Sequence, residues 1–132
     1  MFQGVYVKYL LDTNALLYAF SAPSELSVRA RKIVRSEKDL SVSVVSFWEI
    51  AIKQSIGKLK FGMTIPELEA LCDERDIQVL GITSAAIERI KGLPQIHGDP
   101  FDRILIAHAQ TENMVIVTCD RIIPQYPVKT IW

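Results

Sequence analysis

The chain has 132 residues, no net formal charge, and 49% hydrophobic against 23% charged residues, the make-up of one folded domain rather than of a disordered or fibrous chain. No apolar run reaches the ~18 residues of a membrane span, and the start carries no basic leader with an apolar core, so a cytoplasmic protein without membrane attachment is expected. Cys72 and Cys119 stand far from each other and without clustered histidine, so both read as packing residues and not as a disulfide or zinc framework.

The first strand runs through Val5, Val7, Tyr9, Leu10 and Leu11 and stops at Asp12; an apolar run this short, followed by turn formers, is a buried strand. Thr13 and Asn14 are placed to cap a helix whose body is Ala15 to Phe20, because their side-chain oxygens accept from free first-turn amides. Pro23 or Ser24 opens a second helix to about Ser36, with Leu26, Val28, Ala30, Ile33 and Val34 as its apolar positions. Residues 39–43 alternate as a short strand, and a third helix begins near Phe47 and ends near Gly57, a helix-terminating glycine. Pro66 starts a fourth helix with Leu68, Leu71 and Cys72 on its apolar side. Ile77 to Leu80 is a strand, and Thr83-Ser84 opens a helix through Ile87 and Ile90 to Gly92. After a loop at 93–98, Asp99-Pro100-Phe101-Asp102 opens a helix, Arg103 to Glu112, that is apolar on nearly every side and therefore buried. Met114 to Thr118 reads as a central parallel strand ended by Cys119-Asp120, and Val128 to Trp132 as a fifth strand. Strands alternate with helices throughout, which predicts one α/β domain over residues 1–132 with a mainly parallel sheet.

Charge is unevenly spread although it sums to zero. Arg29, Arg31, Lys32, Arg35 and Lys38 face Glu37 alone, Lys53, Lys58 and Lys60 face no acid, and Glu67, Glu69, Asp73, Glu74 and Asp76 oppose only Arg75. Solvated helix faces account for such runs without any ligand. The acids that end strands are different. Asp12 and Asp120 each follow a buried strand directly, where an open α/β sheet forms its binding crevice. Two carboxylates ~4 Å apart repel by about 4 kcal/mol at an effective dielectric of 20, so a larger cluster needs a cation. Oxygen ligands without thiolate select Mg²⁺ or Mn²⁺.

Each acid also has an ordinary structural role open to it. Asp99 ahead of Pro100 reads as a helix cap, Asp102 as a first-turn acid facing the helix dipole, and Asp120 as a turn former. Glu49 has Lys53 one turn on, yet its apolar neighbours Trp48, Ile50, Ala51 and Ile52 point to a specific contact. His97 reads as an exposed loop residue within reach of a phosphate, and His108 as hydrogen-bonded and partly buried. No Ser-His-Asp arrangement, Gly-rich phosphate loop or Cys-His nucleophile pattern is present.

Four segments together, Leu10-Leu11-Asp12-Thr13-Asn14, Ser46-Phe47-Trp48-Glu49-Ile50-Ala51-Ile52-Lys53 with Gly57-Lys58-Leu59, His97-Gly98-Asp99-Pro100-Phe101-Asp102-Arg103, and Val117-Thr118-Cys119-Asp120, make the chain resemble PIN-domain proteins. The likeness is to the ribonuclease toxins of VapC-type toxin–antitoxin pairs and covers essentially the whole chain. It implies a three-layer α/β/α sandwich on a five-stranded sheet ordered 3-2-1-4-5, which makes the strands ending at Asp12 and Asp120 neighbours. By resemblance Asp12, Glu49 and Asp102 match the three main acidic positions and Asp120 a fourth that acts on water or a second ion. Thr13 and Thr118 match hydroxyl residues beside the site. Asp99 is an additional acid nearby, and Arg103 stands where it can steady a carboxylate or meet phosphate.

The resemblance further implies Mg²⁺- or Mn²⁺-dependent hydrolysis of RNA, a homodimer, and a small antitoxin partner for which Tyr18 and Phe20 are candidate contacts. Arg29, Arg31, Arg35, Lys53, Lys58 and Lys60 are candidates for a basic rim that binds phosphate without reading sequence. The alternative from another class is a catalytically inactive PIN module that binds RNA or a protein. Two other enzyme readings fare worse: the chain lacks the length for the helical arch of a flap-type DNase, and Asn14 stands where aspartyl phosphatases carry a second acid.

Overall fold

Leu10 and Leu11 are both wholly buried although their side chains point to opposite faces of the same strand, which requires cover on both sides of the sheet. The computed structural model describes residues 7–36 and 39–132. β1 (Tyr9–Leu11) is the middle of a five-stranded, all-parallel sheet with β2 (Leu40–Ser43), β3 (Ile77–Leu80), β4 (Val115–Val117) and β5 (Thr130–Ile131), in the order β3-β2-β1-β4-β5. Leu11 faces a core built with α1 (Thr13–Ser21), α2 (Val28–Ser36) and α4 (Ile65–Glu74); Leu10 faces the core under α5 (Ser84–Arg89) and α6 (Pro100–Glu112). α3 (Val44–Ser55) joins the two layers, Val45 packing into the second core and Phe47 and Ile50 into the first. This is the expected α/β/α sandwich with the expected strand order.

Several boundaries differ from those expected, each for a local reason. Asp12, not Thr13 or Asn14, caps α1: its Oδ1 accepts from Ala15 N at 2.8 Å. The second helix is split, with a 3₁₀ turn at Pro23–Glu25 and a new start at Val28 capped by Ser27 Oγ, 3.0 Å from Ala30 N. Val28, expected on the apolar side, is therefore a surface residue, 80% exposed. α3 starts at Val44, three residues before Phe47, because Ser43 Oγ accepts from Val45 N at 3.1 Å and caps the helix there. β2 is buried along its length and does not alternate, being covered on both faces. α3 ends in a Schellman turn, with Gly57 at φ +75°, Lys58 N on Lys53 O at 2.9 Å and Gly57 N on Gln54 O at 3.2 Å. The last two strands are shorter than expected, three and two residues.

Some side chains are also placed differently. Cys72 is buried as expected, whereas Cys119 is exposed. Tyr18 and Phe20 are not free surface residues: both pack on the core, Tyr18 tilted against Trp132 at 6.4 Å and Phe20 under the Arg75 guanidinium at 5.6 Å. Val5, expected in the first strand, and Glu37 and Lys38 of the charged run lie outside the described residues. Among the described residues no helix is long and apolar enough to cross a membrane.

Candidate active site

The sheet delivers the site. Register pairs Leu11 with Val42 on one side and Val117 on the other, so the residues that follow, Asp12, Ser43 and Thr118, leave three adjacent strands at the same end. Asp12 N is held by Val117 O at 3.2 Å, and Asp12 itself is buried at the start of α1. Thr13 turns towards α3, its Oγ1 2.7 Å from Glu49 Oε1 and 2.9 Å from Ser46 Oγ. A hydroxyl has one proton, so with Thr13 donating to the carboxylate its second contact is filled by the Ser46 hydroxyl. Glu49 is buried, and its other oxygen meets Lys53 Nζ at 2.8 Å. The pair is thus a buried acid with a half-exposed lysine, not the exposed helix pair that spacing alone describes.

α6 brings Asp102 in from the opposite side, after Asp99 caps the helix with Oδ1 2.9 Å from Phe101 N. Asp120 divides its two oxygens. Oδ1 accepts from Ile122 N at 2.6 Å and Ile123 N at 3.1 Å, forming the turn expected of it, while Oδ2 faces the site. His97 departs from the exposed loop residue expected. It is 9% exposed, and its Nε2 lies 3.0 Å from Asp102 Oδ2 and 3.2 Å from Asp120 Oδ2. His97, Asp102 and Asp120 each offer a ligand-type atom within 4.8 Å of the others.

Charge crowding shows in the proton affinities. Burial, reinforced by Asp120 and Glu49 and opposed by hydrogen bonds from Thr118 and the Ala15 amide, pushes the Asp12 carboxyl up to about 6. Burial, then the field of Asp99, raises Asp102 to about 7, with His97 pulling the other way and Asp12 and Asp120 adding to the rise. For Asp120 burial is outweighed by the Ile122 and Ile123 amides and by His97, and its carboxyl lies below the usual range. Lys53 is raised by its bond to Glu49, with smaller help from Asp99 and Asp102. Asp12, Glu49, Asp99, Asp102 and Asp120 thus lie close enough to act on one another's charge or on that of Lys53, the lysine salt-bridged to Glu49.

Arg103 is not at the carboxylates. Its guanidinium turns beneath the loop before α6, donating from Nη1 to Pro94 O at 2.8 Å and to the Tyr126 hydroxyl at 3.1 Å. Tyr126 Oη also accepts from His97 N at 2.7 Å and Ile96 N at 3.1 Å and donates to Pro94 O at 2.8 Å. Arg35 is likewise away from the acids, lining a cleft with Asp39, Asp73 and Asp76 at the opposite end of the sheet. Arg31 donates to Leu26 O at 3.2 Å. Ser46 and Tyr126 are the residues whose place here sequence reasoning missed, and His97, expected in a loop beside the site, is buried in it and not exposed. Only His97 left a signal, its position five residues ahead of Asp102 in a loop with no apolar role to explain it.

A family model described as PIN domain matches residues 9–129. A curated relative, Ribonuclease VapC22 of Mycobacterium tuberculosis, is 26% identical over 114 residues, 85% of this chain and 86% of its own. Among solved structures, VapBC2 from Rickettsia felis bound to a DNA fragment from its promoter superposes with a TM-score of 0.71 at 15% identity, over 95% of this chain and 98% of that one. VapBC-1 from nontypeable Haemophilus influenzae gives 0.64 at 19% identity, over 95% and 97%.

Proposed function

From the premise that this chain belongs to the PIN-domain family, we propose that it is a divalent-cation-dependent endoribonuclease, the toxin of a type II toxin–antitoxin pair. The observation that carries the reading is the convergence of Asp12, Glu49, Asp102 and Asp120 at one end of the sheet with two of their carboxyls held far above the usual range. Such crowding is unfavourable by itself and is relieved by a cation, and the donor set fits one: carboxylate oxygens suit Mg²⁺ or Mn²⁺. Asp12, Glu49, Asp102 and Asp120 are the residues that would hold it. When bound, the ion supplies positive charge that favours ionisation of an attacking water and offsets charge on the leaving oxygen.

The chain's own groups prepare the site. Thr13 and Lys53 fix both oxygens of Glu49; the Ala15 amide and the α1 N-terminus fix Asp12; the Ile122 and Ile123 amides fix Asp120. Lys53, 44% exposed at its side chain, is the cation placed to meet a phosphate approaching the acids. Lys58 and Lys60, just beyond α3, extend that basic edge. The relative named a ribonuclease and the neighbours solved as VapBC complexes support RNA as the substrate and a small antitoxin as the partner. A cytoplasmic site of action belongs to the same reading, and so does a homodimer, for which α3 offers an outward apolar stripe, Val44, Trp48, Ile52 and Ile56.

The test is cleavage of tRNA, ribosomal RNA and single-stranded DNA by partner-free protein with Mg²⁺, Mn²⁺ or EDTA, beside Asp12→Asn. Asn keeps the α1 cap and removes the charge, so the variant should fold and lose cutting by at least ~100-fold. Metal-dependent RNA cleavage that vanishes in Asp12→Asn supports the reading. Cleavage undiminished in the variant, or indifferent to EDTA, sinks it, and metal binding without turnover favours the inactive binding module.

A further inference from the structure

The His97 ring is held at both nitrogens. Nδ1 lies 3.1 Å from the backbone N of Asp99, whose N–H points at it, and Nε2 lies between Asp102 Oδ2 and Asp120 Oδ2. A backbone N–H can only donate, so Nδ1 must accept and carries no proton; the ring proton is then on Nε2, where Asp120 accepts it and Asp102 lies alongside. Turning the ring over would set carbon atoms against both partners. The loop is fixed as firmly as the ring, since Tyr126 Oη accepts from His97 N at 2.7 Å and Arg103 clamps Tyr126 and Pro94.

We propose that His97 is a positioning residue for the acidic site, an Nε2–H donor to Asp120 whose ring also seats against Asp102, and not one of the ligands of the cation. Its place among two acids makes it look like a third ligand. Ligation, however, needs a bare Nε2, and that would move the proton to Nδ1 against the Asp99 N–H. The imidazole instead donates to an oxygen of the turn after β4 and lies 3.0 Å from an oxygen of α6, so that one ring sits between the two carboxylates. It thereby sets the carboxylate spacing before any cation arrives. The proposal rests on the nuclease reading only for its metal-loaded half.

The experiment is ¹⁵N NMR of the histidine side chains in the full chain, metal-free and then titrated with Mg²⁺. The expected spectrum shows His97 with a protonated Nε2 and an unprotonated Nδ1 in both states. A protonated Nδ1 in the metal-free protein overturns the proposal, as does loss of the Nε2 proton on Mg²⁺ binding. If no Mg²⁺ binds, the cation reading of the site fails while the metal-free tautomer still decides this one. A second arm compares His97→Gln, whose terminal amide reaches where Nε2 does and can donate, with His97→Asn, which can accept from Asp99 N but stops short of the carboxylates. Both should fold. Gln should hold Mg²⁺ affinity by calorimetry within a few-fold, while Asn should lose about 10–100-fold, the usual cost of removing a hydrogen bond that orients a metal ligand. Equal losses in the two variants overturn the positioning role.

Discussion

At the scale of the residue, the site is a set of acids held where acids do not want to be, and this has a consequence for stability. Asp12 and Asp102 titrate near 6 and 7 in the folded chain, against ~3.9 when unfolded. The folded state therefore binds these protons more tightly, and linkage makes stability fall as pH rises from about 4 to about 7. Asp120, whose carboxyl lies below the usual range, contributes only below about pH 4, outside that window. Metal-free protein should accordingly melt several degrees higher at pH 5 than at pH 8, because every tenfold gain in proton affinity on folding is worth ~1.4 kcal/mol. On the proposed cation reading, Mg²⁺ should raise the melting temperature more at pH 8, where the acids that would hold it are ionised. Scanning calorimetry at the two pH values checks both, and equal metal-free melting temperatures would refute the crowding. The acids themselves were legible in the sequence because each interrupts an apolar run or opens a helix. The burial of His97 and the place of Arg103 were not, because both are set by Tyr126, which is 23 residues beyond Arg103 and 29 beyond His97.

At the scale of the element, short-range chemistry explains what was readable and what was not. The α4 start was plain in Pro66, and the structure adds a capping box of Thr64 and Glu67 around it; Gly57 marked the end of α3. The start of α3 was hidden because Val44 and Val45 favour strands, and the Ser43 cap decides the matter only once β2 has been paired on both sides. The loop before α6 has no regular structure to hold it and relies on side chains from elsewhere. Tyr126 is 3% exposed, and its hydroxyl meets Ile96 N, His97 N, Arg103 Nη1 and Pro94 O. Tyr126→Phe keeps the ring packing and leaves two amides and part of a guanidinium without that partner. The expected cost is about 1–3 kcal/mol, read by urea unfolding, with faster hydrogen exchange at Ile96 and His97 than at the α4 amides. Exchange at the loop that matches the parent protein would mean that Tyr126 does not order it.

At the scale of the whole molecule, alternating strands and helices announced a parallel sheet, but not which strands adjoin. Strand order depends on pairings such as Leu10 with Ile116, more than a hundred residues apart in the chain, and came from resemblance rather than from periodicity. The surface was less legible still. Expectation placed the exposed apolar residues on the first helices at Tyr18 and Phe20, whereas the structure buries those rings in part and turns an α3 stripe outward instead. Val44, Trp48, Ile52 and Ile56 recur every fourth residue, Trp48 being 61% exposed, with Ile87 of α5 exposed as well. Trp48 touches Phe101 edge-on at 5.2 Å, yet most of the indole is left to solvent, an arrangement that a contact with a second copy would relieve. Across a two-fold axis each residue of the stripe is used twice. Trp48→Glu therefore removes two indoles from the contact and introduces two carboxylates that repel, while costing the monomer little because the site is on the surface. Sedimentation velocity should find the parent chain dimeric at micromolar concentration and Trp48→Glu monomeric with an unchanged far-UV spectrum. A monomeric parent would remove the dimer from the reading, and a dimeric Trp48→Glu would move the contact to another face.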